Sequence, residues 1–250
     1  MGVAYNPFSL EGKTILVTGA SSGIGQGIAI ECSKMGAKVV ITGRNQERLQ
    51  ETFNQLEGDG HVMIAADLNN DADIEKLAAE SPVLDGLVNN AGRGLSKPVN
   101  FIKSQDLLDV YQTNVFGVIM LTKMLLKSKK ISKGGSIVFT SSLSSYMTAA
   151  GLAIYASSKA AVCAYMRTCA IELGPKNIRC NAVLPGMVET KLINSGTYTD
   201  ASKQADLNLY PLGRYGTPVD IAQGVVYLLS NASCWVTGLE MVIDGGRKLK

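Results

Sequence analysis

The chain has 250 residues, 46% of them hydrophobic, and a net charge of +3. That length and apolar content suit one large α/β domain, or at most two small ones, and argue against disorder. The modest charge argues against a nucleic-acid or membrane surface, and the basic stretch at 127–133 reads as a solvated helix end.

Short apolar runs alternate with longer helical patterns. In chain order they predict a strand at 14–17, a helix at 24–35, a strand at 38–42, a helix at 46–56, a strand at 62–65 and a helix at 71–79. A short strand follows at 86–88, then a long helix at 104–127 with a break expected near Asn114. The rest reads as a strand at 136–140, a helix at 153–173, a strand at 179–183, a helix at 218–229 and a last strand at 240–243. Such alternation implies a parallel sheet of about seven strands with helices on both faces. Right-handed crossovers then make it doubly wound, in a single domain over 1–250. No linker or repeat interrupts it. The least regular stretch, 189–216, contains SGTYTDASKQAD and is long enough for a lid or substrate loop.

Chemistry gathers where strands end. TGASSGIG, from Thr18 to Gly25, follows the first strand. A glycine-rich turn at a helix start lets main-chain N–H groups approach a pyrophosphate. Gly19, Ser21, Ser22, Gly23, Ile24 and Gly25 are the candidates, spaced GxxxGxG rather than GxGxxG. The end of the second strand reads Ile41-Thr42-Gly43-Arg44-Asn45. No carboxylate is there to hold a ribose 2′-OH, and Arg44 suits a 2′-phosphate. NADP(H) is therefore the expected cofactor and NAD(H) the alternative, although Ser22 stands where a second cation would have helped. Tyr155 and Lys159, four residues apart on a helix, share a face. A lysine ammonium beside a tyrosine lowers the phenol pKa, which makes Tyr155 a usable acid or base. Ser141 and Ser142 end one strand, and Asn89-Asn90-Ala91-Gly92 ends another.

Cys32, Cys163, Cys169, Cys180 and Cys234 form no CxxC pair and read as free thiols of a reducing compartment. With His61 the only histidine, a zinc site of His and Cys pairs is excluded and no metal is expected. The stretch MGVAYNPFSLEGK lacks a signal core, Asn6 stands where a myristoylation signal needs Ser or Thr, and no apolar run reaches about 18 residues. The expected location is the cytoplasm.

Taken in order, TGASSGIG, NNAG, YASSK and PGMVET resemble the single-domain branch of the short-chain dehydrogenase/reductase family, over essentially the whole chain. The resemblance implies a Rossmann-type fold and hydride transfer between a nicotinamide cofactor and a carbonyl or alcohol. Ser142, thirteen residues before Tyr155, matches the family's serine, and Asn114 its helix asparagine. By resemblance Tyr155 is the acid in reduction and Ser142 holds the substrate oxygen. Lys159 tunes Tyr155 and binds the nicotinamide ribose, and Asn114 holds a water of a proton relay. Asp67 and Leu68 match the adenine segment, and Asn89, Ala91 and Gly92 the adenosine side, with Asn89 equally readable as a structural tie between strands. Pro185, Gly186 and Thr190 match the carboxamide segment, with Val188 beside it.

The substrate is the weakest reading. Leu143, Met147, Leu152, Met187, Leu192 and Tyr198 are pocket candidates, and Arg93 is a candidate for a substrate carboxylate or phosphate. The pattern is similar to 3-oxoacyl-carrier-protein reductases, with Lys133 and Lys176 near where those place basic residues for a carrier. Sugar, polyol, steroid and small-carbonyl substrates are the alternatives. Two further readings compete. A non-catalytic NADP-binding sensor usually lacks the tyrosine or lysine, and a dehydratase or epimerase is typically longer with a GxxGxxG turn. The resemblance also implies a homotetramer or homodimer pairing the helices at 104–127 and 153–173.

Overall fold

The first strand, Ile15-Leu16-Val17 at its centre, is buried on both faces. That is the condition for a central strand of a parallel sheet. The computed structural model describes residues 5–190 and 200–250. Seven parallel strands form one sheet: β1 (Thr14–Thr18), β2 (Lys38–Gly43), β3 (Val62–Ala65), β4 (Leu84–Asn89), β5 (Ile131–Thr140), β6 (Arg179–Pro185) and β7 (Glu240–Ile243). Their spatial order is 3-2-1-4-5-6-7. The chain leaves β1 in one direction to reach β2 and β3 and returns on its other side at β4. The β1/β4 crevice is thus the topological switch point, where ligands of doubly wound sheets bind.

The helices are α1 (Gly23–Lys34), α2 (Gln46–Phe53), α3 (Asp71–Glu80), α4 (Ser104–Tyr111), α5 (Gly117–Lys127), α6 (Ala153–Leu173), α7 (Asp200–Leu207) and α8 (Pro218–Leu229). Side-chain caps set several of their starts. Asn45 accepts from the Arg48 N–H before α2, and Asn70 accepts from Ala72 before α3. Thr217 and Asp220 form a capping box at α8, with Pro218 at its first position. Alternate strand residues feed two cores. Leu16, Val40, Leu87, Ile137, Phe139 and Ala182 pack with α3, α5 and α6. Ile15, Val17, Val39, Ile41, Val138 and Val183 pack with α1 and α8. Burial of each such side chain contributes about 1.5–3 kcal/mol before entropy is counted.

The expected doubly wound sheet of seven strands is what the chain forms. The expected break near Asn114 is a π-type turn over Gln112–Phe116, in which the Gly117 N–H reaches back to the Gln112 carbonyl. The largest departure is β5, which starts at Ile131 rather than Ser136: Ile131 pairs with Leu84, the polar Ser132-Lys133-Gly134-Gly135 bulge out, and pairing resumes at Ser136 and Gly86. Within the stretch expected to be irregular, α7 forms over DASKQADL, whose few apolar residues hid it.

The glycine-rich turn is where the backbone is most constrained. Gly19 has φ +65°, and a Cβ there would lie 2.9 Å from Ala91 Cα across the switch point. A Cβ on Gly25 would lie 2.3 Å from the Gly19 carbonyl oxygen. Side chains are excluded there first by the fold itself. Gly25→Ala should therefore destabilise the chain by roughly 1–3 kcal/mol, or about 2–12 °C in Tm. Gly94→Ala, where nothing lies within 4 Å of the added carbon, serves as the control. Equal melting curves for the two variants would refute this account of the turn.

Candidate active site

Every motif of the sequence reaches the carboxyl edge of the sheet. The crevice is closed by one hydroxyl. Thr18 Oγ1 donates to the Val88 carbonyl (3.2 Å) and accepts from the N–H groups of Asn90 (2.9 Å) and Ala91 (3.0 Å). Asn90 Nδ2 returns a bond to the Thr18 carbonyl (3.0 Å). Neither side chain was singled out as a site residue, although both lie inside the motifs. On the other side of the turn, Thr52 of α2 donates to the Ala20 carbonyl (2.9 Å) and accepts from Gln26 (3.1 Å). Ser21, Ser22, Gly23 and Thr190 line a hollow of about 220 Å³ together with Arg48, Glu51 and Glu189. Ser22 itself brings no cation, but Arg48 stands in the same hollow.

Asn114, in the π-type turn, clamps the chain after β4. Its Oδ1 accepts from the Arg93 N–H (2.8 Å), and its Nδ2 donates to the Arg93 carbonyl (3.0 Å) and to Ser158 Oγ (3.0 Å). A Cβ on Gly92 would lie 3.2 Å from Lys159 Nζ and 3.3 Å from Asn114 Oδ1. The absence of a side chain at 92 therefore keeps open the space in front of both groups. Lys159 is 5% exposed, and its ammonium donates to the Thr140 carbonyl (2.8 Å). It lies 5.9 Å from the centroid of the Tyr155 ring. Ser142 follows β5 in extended conformation, its Oγ accepting from the Ser144 N–H (3.1 Å).

Burial acts against both charges. It lowers the Lys159 pKa to about 8 and raises that of Tyr155 above the ordinary phenol value, while a hydrogen bond with Ser142 pulls Tyr155 back down. Lys159 does not figure among the causes of the Tyr155 shift. In the chain by itself desolvation outweighs any help from the ammonium, whose bond goes to a main-chain carbonyl. At neutral pH Tyr155 is a neutral phenol, the form that donates a proton.

Other expected residues have structural contacts of their own. Arg93 is held at the site by its main chain, but its guanidinium is exposed and faces Asp109 at 3.7 Å. Asn89 does not tie strand to strand: its Nδ2 donates to Thr122 Oγ1 in α5 (3.0 Å). Leu68 and Val188 are buried in the two cores. Lys133 lies near the start of β5 and Lys176 just before β6, whereas Ser142 follows the end of β5. Lys133 lies in the bulge before Ser136, toward the starts of the strands, so neither lysine stands at the carboxyl edge that carries Ser142.

The remaining residues take the expected edge. Asp67 caps the turn after β3 by accepting from the Asn69 N–H (3.0 Å). Pro185 ends β6, and Gly186 donates to the Ile243 carbonyl (3.0 Å). The Met187 N–H donates to the Tyr210 hydroxyl (3.0 Å). Leu143 is buried; Met147, Leu152 and Met187 are half-buried after β5, before α6 and after β6. Leu192 and Tyr198 lie outside the described residues. Arg44 is exposed just beyond β2, with no carboxylate paired to it among the described residues. Buried oxygens without a hydrogen-bond partner include Thr42 Oγ1, Asn89 Oδ1 and Thr140 Oγ1, at or next to the ends of β2, β4 and β5. Together with the glycine cradle, these unpartnered acceptors fit a dinucleotide lying across the edge. No group of His, Cys, Asp and Glu that could hold a metal occurs among the described residues, and no described helix is long and apolar enough to cross a membrane.

Comparison with known proteins gives the same class. A family model described as Enoyl-(Acyl carrier protein) reductase matches residues 19–248. The 3-oxoacyl-[acyl-carrier-protein] reductase FabG of Thermotoga maritima is 35% identical over 243 residues, 95% of this chain and 98% of the relative. A solved structure from Agrobacterium tumefaciens, provisionally assigned as a 2-deoxy-d-gluconate 3-dehydrogenase and holding NADP, has a TM-score of 0.90 at 31% identity, covering 98% of this chain and 100% of that one. The 3-ketoacyl-(acyl-carrier-protein) reductase of Brucella melitensis, complexed with NADH, has a TM-score of 0.85 at 31% identity, covering 96% and 99%. The chain belongs to the short-chain dehydrogenase/reductase family and is an oxidoreductase with a nicotinamide-binding Rossmann fold.

Proposed function

We propose that the chain reduces a carbonyl to an alcohol, or runs the reverse, with Ser142, Tyr155, Lys159 and Asn114 as its working groups and NADPH as its preferred cofactor. The observation that carries this reading is a buried lysine pinned on the Thr140 carbonyl at the end of β5, 5.9 Å from the Tyr155 ring, with Ser142 following the same strand. Bound nicotinamide supplies the hydride. Tyr155 gives its phenolic proton to the substrate oxygen, and the Ser142 hydroxyl holds that oxygen as charge develops on it. Lys159, pinned on Thr140, stands ready to stabilise the phenolate left behind. Asn114 fixes the main chain of Arg93 and thereby the wall in front of Lys159. All four groups being present speaks against a non-catalytic sensor.

The NADPH preference is supported by Arg44 at the end of β2, free of acidic partners among the described residues, and by Arg48 in the hollow lined by the glycine-rich turn. The substrate is proposed to be a 3-oxoacyl thioester, supported by the FabG relative at 35% identity. A sugar or polyol is the second reading, favoured by the structural match to the gluconate-type enzyme. Second copies of the chain are proposed to complete a homotetramer or homodimer, covering exposed Leu108 and Phe116 beside α5 and Ile171 on α6. Light scattering at micromolar concentration should show a mass of two or four chains, and a monomer would contradict the assembly.

Tyr155→Phe should cost at least a hundredfold in kcat and leave NADPH binding intact, measured by nucleotide fluorescence and by turnover of 3-oxoacyl thioesters, keto sugars, steroids and small diketones. Turnover within tenfold of the parent would remove Tyr155 from the mechanism. Arg44→Ala should weaken NADPH about tenfold or more and NADH little, since one charge-assisted contact contributes about 1.5–3 kcal/mol. Equal losses for both cofactors would mean that Arg44 does not meet the 2′-phosphate.

A further inference from the structure

One buried thiol plays no part in the chemistry above. Cys163 lies on α6, four residues after Lys159, and is 3% exposed. Its Sγ–H points at Ser141 Oγ, 3.2 Å away. Ser141 is buried as well and donates its own hydroxyl proton to the Lys159 carbonyl (2.9 Å). Its main-chain N–H donates to the Val183 carbonyl on β6 (2.9 Å). The next residue in the chain is Ser142.

A serine hydroxyl has one proton and a free rotor. A donor that occupies one of its lone pairs leaves the proton to go elsewhere, here to the helix carbonyl. Burial raises the Cys163 pKa, so the group stays a thiol and remains a donor at neutral pH. The relay runs from Cys163 S–H through Ser141 O–H to the Lys159 carbonyl. We propose that Cys163 and Ser141 are a positioning pair that locks the end of β5 onto α6 and so sets the reach of Ser142 to Tyr155. This rests on the reading of Ser142 and Tyr155 as the working groups.

The geometry makes such a lock necessary. Ser142 hangs from the end of a strand, and Tyr155 stands on a helix that begins eleven residues later. The two elements meet at three side-chain bonds: Lys159 Nζ to the Thr140 carbonyl, Ser141 to the Lys159 carbonyl, and Cys163 to Ser141. The first uses the proposed catalytic lysine, but the other two do not. They can be removed without touching any group that meets substrate or cofactor. A misplacement of about 1 Å at a reacting centre can cost up to about a hundredfold in rate.

The test is a set of variants in the full chain, followed by kcat, KM, NADPH affinity from fluorescence titration, melting temperature and the pH profile of alcohol oxidation. Ser141→Ala should lower kcat about tenfold, with the NADPH Kd within about twofold of the parent. Cys163→Ala and Cys163→Val, which remove the donor with less and with more bulk, should both lower kcat by about three- to fivefold, the loss of one modest hydrogen bond. Cys163→Ser restores a donor and should recover most of the rate. The pH profile separates positioning from mere stability. Ser142 pulls the Tyr155 pKa down, and Lys159 is the other ionisable group beside that ring. A slackened Ser142 should therefore let the Tyr155 pKa rise, moving the limb of alcohol oxidation to higher pH in Ser141→Ala. The proposal is overturned if Ser141→Ala and Cys163→Ala keep the parental kcat and pH limb, or if their losses appear only in Kd and melting temperature. Tyr155→Phe is run alongside. If it stays active the catalytic reading fails first; if it is inactive while Ser141→Ala is unchanged, only the positioning pair is wrong.

Discussion

The carboxyl edge of the sheet depends on the contact between the turn after β1 and the chain leaving β4. Thr18 holds it with three hydrogen bonds through one hydroxyl, and Asn90 returns a fourth. Two backbones come so close here that a Cβ on Gly19 would clash with Ala91. The closeness has two consequences. The N–H groups of the turn and the start of α1 stay clear of side chains, which is what an anion at a helix N-terminus needs. The segment from Ala91 to Arg93 is also delivered against Asn114 and Lys159, because a chain fixed at Asn90 has only two residues in which to reach them. The cofactor cradle and the proposed proton-transfer groups therefore share one constraint rather than being two sites set side by side.

The electrostatics follow from depth. An ammonium that is 5% exposed is costly unless bonded, and the Thr140 carbonyl is the partner it has. That bond fixes Lys159 but leaves the cation under strong desolvation, so its pKa falls to about 8. The Tyr155 phenol meets the opposite pressure from the same burial. At neutral pH the tyrosine is a neutral phenol and the lysine is still mostly an ammonium, so a bound nucleotide enters a site whose proton donor is already loaded. A general acid for carbonyl reduction requires this state. The reverse reaction needs the phenolate, which the chain alone does not favour.

Most of this was legible in the sequence, for identifiable reasons. Strands buried on both faces announce themselves as apolar runs, and a sheet of seven followed from counting them. Glycines forced by close approach, such as Gly19 and Gly25, stand out because any side chain fails there. The break at Asn114 was legible because Asn-Val-Phe-Gly is a poor helix interior. Hidden features were those whose cause is tertiary. The first half of β5 is polar and glycine-rich, a bulge between the Ile131–Leu84 and Ser136–Gly86 pairs that only the partner strand reveals. α7 carries too few apolar residues to show a period. Thr18, Ser141, Ser158 and Cys163 act through partners 18 to 73 residues away in sequence, which no local pattern encodes. Arg93 misled for the same reason: its position was read correctly, but Asp109 on α4 determines where its charge goes.

Parallel strands also bear on the carrier-protein question. All seven run in one direction, so the sheet has a chemical edge and a far edge. Lys133 and Lys176 sit on the far edge, near the starts of β5 and β6. A carrier held by them sits toward the opposite ends of the strands from Thr140, and its tethered acyl group has the length of the strands to pass before reaching Tyr155 of the same chain. Recognition by this pair within one chain is thus geometrically poor. If the substrate is a carrier-bound thioester, the contacts that hold the carrier must come from the chemical edge or from a second copy that brings its far edge to this one. The substrate class and the assembly are therefore one question, and an answer to either constrains the other.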